Sequence, residues 1–336
     1  MFAVFGKKLM RPVLTVLAIG LPLSAPHQVK ADDNFTVVFN GLVDTHIYKL
    51  NSHVRVATGL TVTHTEYEDW NIDNFNTRYG FTATGDTALG AFTAKIEGEL
   101  LGDQLAIIRH AFGQVGPILA GQTDSLMREG MPFLSGSDDS FYTIESISAP
   151  TTWRQRQQLR YTTHFGDATL AVALEDNFQT NSDFFDITAN LQTEVGSAKI
   201  AVAALYDPTF DDQFVITGSA SFKLGPADAF VTGTFSQGIL GLQAVGWPDA
   251  SSIGVGVGAH IPLDDNLTAF VGAGRAENQT YENTINYFAG SLTWSPLPQH
   301  EVGGRVQYSE YFHGNFSGTT YEYDYLLFDT FWRYKL

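Results

Sequence analysis

Residues 321–336 alternate with a period of two. Leu326, Phe328, Thr330, Trp332, Tyr334 and Leu336 share one parity, while Asp329, Arg333 and Lys335 share the other with Phe331 among them. Successive side chains of a strand point to opposite faces, so this pattern predicts a strand with one apolar and one charged face. The pattern recurs along the chain. Tyr79, Phe81 and Ala83 oppose Arg78, Thr82 and Thr84, and Phe92, Ala94, Ile96, Gly98 and Leu100 oppose Lys95, Glu97 and Glu99. Val302, Val306 and Tyr308 likewise oppose Arg305, Gln307 and Ser309. Apolar faces that carry Trp and Tyr near their ends, backed by charged faces, are the pattern of a wall between lipid and water.

The connections alternate in length. Short turns are predicted at 85–87, 115–117, 166–167, 196–197, 225–226, 263–265 and 296–298. Between them lie longer polar connections at 66–73, 125–153, 177–182, 207–212, 236–250, 277–282 and 313–320, with 101–104 a short exception. Short turns at one end and long loops at the other describe a bacterial membrane barrel with an even strand number. The expected fold is all-β: a transmembrane antiparallel barrel of about sixteen strands, with the long loop 125–153 folded into its lumen. Stretches 34–48 and 53–65 both read as strands, and both cannot be independent spans if the total is even.

The N-terminus sharpens the location. Lys7, Lys8 and Arg11 precede a short apolar run at 13–23, and Val29-Lys30-Ala31 offers a small-x-small cleavage site. This predicts a signal peptide over 1–31 and a mature barrel over 32–336; the alternative, an uncleaved helical anchor, needs a longer apolar run. Cleavage removes four positive charges and no acidic residue, moving the formal charge from −17 to −21 over 305 residues. So acidic a chain lacks the clustered cations that nucleic acid requires. Without cysteine there is neither a disulfide framework nor thiolate chemistry. Mean hydropathy is −0.05, and no later segment resembles a membrane helix. Alternating barrel strands average to that value as readily as soluble ones do.

Two regions are candidates for chemistry. The segment 125–153 holds Met, Phe, Leu, Ile and Tyr, which favour packing over disorder. Read as a constriction loop, it offers Arg128, Glu129, Asp138, Asp139 and Glu145 as polar groups; read otherwise, it packs over neighbouring external loops. Immediately after it, Arg154, Arg156, Gln158, Arg160, Thr162 and His164 share one parity, and Leu159, Tyr161, Thr163 and Phe165 the other. An arginine facing lipid costs about 2–4 kcal/mol at the midplane, so these are expected to line the lumen. With Arg78, Lys95 and Arg109 they form a candidate basic wall that favours anionic solutes. The competing reading pairs them with carboxylates such as Glu97 and Glu99.

Five segments occur in order: Phe75-Asn-Thr-Arg-Tyr-Gly-Phe81, Ala94-Lys-Ile-Glu-Gly-Glu-Leu100, Arg109-His-Ala-Phe-Gly-Gln-Val115, Leu119-Ala-Gly-Gln-Thr-Asp-Ser125 and Arg154-Gln-Arg-Gln-Gln-Leu-Arg-Tyr-Thr162. This series, over roughly 75–175, resembles the DcaP-like outer-membrane porins of gram-negative bacteria. The resemblance implies a sixteen-stranded barrel, a homotrimer, a loop folded into the pore and uptake of dicarboxylates and other small anions. It places Arg109, Arg154 and Arg160 facing the lumen.

Other signals are weaker. Gly254-Val-Gly-Val-Gly258 lacks the following helix that a dinucleotide-binding turn needs, so it reads as a strand with glycine on one face. The histidines lack metal-ligand spacing, so no metal and no cofactor is expected. Glu66, Glu68, Asp69 and Asp73 form either a divalent-cation site beside lipopolysaccharide or a solvated charge run. The expected function is a porin in the outer membrane, passing small hydrophilic solutes by diffusion, with anion preference as the finer expectation. Its expected partners are lipid, lipopolysaccharide, two further copies of itself and the barrel-assembly machinery, which would read the C-terminal strand. A barrel hydrolase and a secreted soluble β-protein are the alternatives.

Overall fold

The computed structural model describes residues 28–32, 35–58, 61–73, 77–101, 104–131, 155–176, 185–208, 213–238, 251–279, 283–316 and 319–335. They form strands β1 (Gln28–Asp32), β2 (Phe35–Thr58), β3 (Thr61–Asp73), β4 (Thr77–Thr87), β5 (Gly90–Leu101) and β6 (Gln104–Val115). β7 (Ile118–Asp124), β8 (Gln155–Phe165), β9 (Ala168–Glu175), β10 (Asp186–Val195), β11 (Ala198–Asp207) and β12 (Gln213–Leu224) follow. The rest are β13 (Ala227–Gln237), β14 (Ser251–Pro262), β15 (Leu267–Asn278), β16 (Asn283–Leu297), β17 (His300–Phe316) and β18 (Thr319–Lys335).

The strands pair antiparallel with their chain neighbours except that β3 and β4 both pair with β2, and β18 closes the sheet on β2 from Lys335↔Leu42 to Thr319↔Thr58. Eighteen segments fill sixteen positions of a closed barrel. β3 pairs with β2 over 46–58 and β4 takes over at 35–42, so the two form one position. β1, which pairs with 35–38 of β2, completes the position of β18 in the same way. The ambiguity over 34–65 is thereby resolved: β2 runs unbroken through 48–53, and its successor begins at Thr61. Residues 28–31 of the predicted signal peptide lie in β1, and residues 1–27 lie outside the described residues.

Several predicted connections are strand instead. Residues 66–73, expected as an external loop, belong to β3 because β2 continues far enough to supply the whole backbone ladder. The side chains of Glu66, Glu68 and Asp69 stay exposed there, so extension costs them no solvation. β4 continues through 85–87, placing its turn at 88–89 before Gly90 (φ 116°). The turns at Gly116, Gly166, Gly196 and Gly225 use positive φ (54–63°), as tight hairpins require. Pro296 sits within β16 beside a register shift, where its missing N–H removes no ladder bond.

Outward positions are large and apolar, among them Val172, Leu174, Ile187, Leu191, Val255, Val257, Val306 and Phe328. Inward positions are polar and buried, among them Asp186, Thr188, Asn190, Arg305, Gln307 and Ser309. This inverts the arrangement of a soluble protein and matches a wall solvated by lipid, with the sheet closed into a ring. β18 follows the predicted phase: Asp329 (3% exposed) and Arg333 (7%) face inward, and Phe328 (44%) and Trp332 (37%) outward. Leu336 lies outside the described residues. The glycine run at 254–258 is in β14, and its glycines face inward. A Cβ on Gly258 would lie 2.5 Å from the Phe230 ring, which packs across it.

Candidate pore constriction

The chain leaving β7 turns inward. Arg128 N–H donates to Ser125 O (3.1 Å) and Met131 N–H to Arg128 O (3.1 Å), giving a tight turn over 125–131. Leu126 packs on Ala171 and Ala173 of β9, while Met127 and Met131 pack on Ala201, Ala203 and Leu205 of β11 and Val215 of β12. All of these wall residues face inward. The start of the long segment, 125–131, thus lies on the inner wall across β9–β12, and residues 132–153 lie outside the described residues. Asp138, Asp139 and Glu145 lie outside the described residues. Small inward residues on β9 and β11 create the space, and their methyl groups give an otherwise polar wall an apolar dock.

Polar contacts pin the same turn. Ser125 Oγ donates to Glu175 Oε2 (2.7 Å), and Leu126 N–H to Glu175 Oε1 (2.9 Å). Asn190 Nδ2 donates to the carbonyls of Leu126 and Glu129, both at 2.8 Å. Arg156 reaches Glu175 (3.4 Å) and Asp186 (2.7 Å). Arg160 donates to Asp124 O (2.9 Å), Gln158 Oε1 (2.8 Å) and Glu129 Oε2 (2.7 Å). Both arginines face inward, and both hold the base of the turn. Arg154 lies outside the described residues.

The other predicted cations gather on β4–β6. Lys95 Nζ is 2.8 Å from Glu97, Arg78 Nε is 3.9 Å from Glu99, and Arg109 pairs with Glu99 and lies 3.7 Å from Glu97. Arg109 is the extra residue of a β-bulge, since Glu97 pairs with His110 and Gly98 with Ile108. The bulge turns both Arg109 and His110 inward, and His110 Nδ1 shares a hydrogen bond with Thr123 Oγ1 (2.9 Å). Gln122 Nε2 donates to Ile108 O (2.5 Å), satisfying a carbonyl beside the bulge.

A third network closes the barrel seam. His46 lies between Asp329 and Asp44, each at 3.0 Å; Arg305 donates to Asp329 (2.7 Å) and Arg333 to Asp44 (3.0 Å). Lys335 Nζ is 2.5 Å from Glu301. Of the groups that sequence alone left out, Glu175, Asp186 and Asn190 matter most. Their inward parity opposite Leu174, Ile187 and Leu191 was the only signal available.

No protein-family model matches the chain, and no curated protein matches it. Solved structures do. The outer membrane channel DcaP of Acinetobacter baumannii is similar over 93% of this chain and 100% of its own, at 16% identity and a TM-score of 0.73. An anion-selective porin from Comamonas acidovorans covers 90% of this chain and 100% of its own, at 12% identity and a TM-score of 0.64. OmpT of Vibrio cholerae in its trimer form has the same coverage and identity, with a TM-score of 0.65. At these identities the likeness concerns the backbone, and it agrees with the geometry: the chain has the fold of the outer-membrane porins.

Proposed function

We propose that this protein is a passive outer-membrane channel for small hydrophilic solutes. The observation that carries this reading is the inward turn at 125–131, docked on an apolar patch of an otherwise largely polar inner wall inside an apolar-faced barrel. Such a barrel with an intruding segment conducts solutes by size and charge. Liposome swelling and single-channel conductance test it, and folded protein that conducts no ions would refute it.

The finer reading is a modest preference for anions, dicarboxylates among them. Its support is the grouping of Arg78, Lys95, Arg109, Arg156 and Arg160 on the wall flanking the turn. Each has a carboxylate within 4 Å, which weakens the field a solute meets and limits the preference. Reversal potential in a salt gradient decides it, and cation selectivity would remove it. We also assign a homotrimer, supported by the trimer form of one similar structure, with cross-linking in detergent as its test. Cleavage after Ala31 is read directly by N-terminal sequencing. The barrel-assembly machinery is the reader of the β18 phase, and lipopolysaccharide is the neighbour of the long-loop end.

A further inference from the structure

We infer that the inner wall of β16–β18 carries a ring-stacking strip for uncharged saccharides, an inference that rests on the channel reading above. β18 lies eight positions from β10 around the sixteen-position barrel, so this wall faces the docked turn across the lumen. A water-filled interior is expected to be polar. Here it is tyrosine-rich. Tyr287 lies opposite Ser309, which lies opposite Tyr325, and in the adjoining row Tyr311 lies opposite Tyr323. Their parity is that of Arg305 and Asp329, so all face inward. Ring centroids are 5.6 Å apart for Tyr311–Tyr323, 5.9 Å for Tyr323–Tyr325 and 6.0 Å for Tyr311–Tyr325. Tyr311 and Tyr323 are partly exposed and pack against the buried Tyr325.

The chemistry of these two rows selects the solute. The inward side chains of these rows, Tyr287, Ser309 and Tyr325 and then Ile285, Tyr311 and Tyr323, carry no charge. Arg305 and Asp329, farther along β17 and β18, are paired with each other. A tyrosine presents an apolar ring face with a polar edge, which complements the C–H face and hydroxyl rim of a pyranose. Hydrogen-bonding groups lie buried behind the rings, and the hydroxyl edges of the partly exposed Tyr311 and Tyr323 are what a solute meets. Gln307 Nε2 donates to Tyr325 OH (2.8 Å), and Tyr287 OH and Ser309 Oγ have no hydrogen-bond partner among the described residues. Such a site binds ring solutes weakly, as a channel must if they are to leave again.

The test is ion current through the reconstituted full-length protein with maltotriose as probe. The current should fall saturably, with half-effect at about millimolar concentration. Tyr311→Ala/Tyr323→Ala should weaken this block by about tenfold, whereas Tyr311→Phe/Tyr323→Phe should preserve most of it because the rings remain. Tyr323→Ala alone serves if the double variant does not reach the folded, heat-modifiable state. No saturable block, an equal block in the alanine variants, or block by benzoate but not by maltotriose would each overturn the inference. Absence of any ion current in the wild-type protein would instead refute the channel reading.

Discussion

Glu175 shows what a single residue does here. It is fully buried and accepts hydrogen bonds from Ser125, Leu126 and Arg156, tying the loop base to the wall. Glu175→Gln keeps the size but removes the charge that these donors face. We expect about 1–3 kcal/mol of lost stability, read as a lower unfolding temperature of the barrel, together with noisier single-channel current. Arginine parity was legible in sequence, and Arg156 and Arg160 do face inward. Their partners were not legible, because Glu175 and Glu129 are separated from them by 19 and 31 residues. Arg160→Gln should shift the reversal potential toward cations and Glu99→Gln toward anions, since each change strips one member of a pair. Equal potentials in both variants would place these pairs away from the ion path.

At the scale of elements, the inner face of β11 is an exception that carries meaning. Ala201, Ala203 and Leu205 form an apolar stripe on the inner wall, where charged and amide side chains are common, and the docked turn covers it. Ala203→Phe should overpack Met127 and Met131 at a cost of about 1–3 kcal/mol and lift the turn. Trypsin cleavage after Arg128 would then rise, and an unchanged digestion pattern would show that the turn is held elsewhere. β4 and β5 meet with little tolerance at Gly80, where a Cβ would lie 2.3 Å from Ile96 O and 2.9 Å from Glu97 Cα. Both atoms belong to the backbone and cannot swing aside. Gly80→Ala should therefore lower the yield of folded barrel in refolding, measured by heat-modifiable gel mobility.

For the whole molecule, the decisive property is its inverted surface. Lipid solvates the outer face, so Val257→Arg on β14 should destabilise the barrel by about 2–4 kcal/mol if it sits at the midplane. An unaffected unfolding midpoint would place that position outside the bilayer. Conversely, Arg78, Lys95, Arg109, Arg156, Arg160, Arg305 and Arg333 are enclosed yet tolerated on the inner wall, because each has a carboxylate in reach.

Alternation alone indicated most of the strands and which face of each meets lipid, while the ends of β2, β3 and β4 were set by their partners. Period two is a local property, and it survives whatever a strand pairs with. Three things depended on partners distant in the chain. β2 is one long strand because β18 supplies one edge and β3 followed by β4 the other. The loop base enters the lumen because Ser125 finds Glu175 and Met127 finds β11 and β12. The basic residues are paired cations because a bulge at Arg109 and the return of the sheet bring carboxylates beside them. Pairing across 50 residues, or across 283 as between His46 and Asp329, leaves no periodic trace, so only the closed barrel decides it.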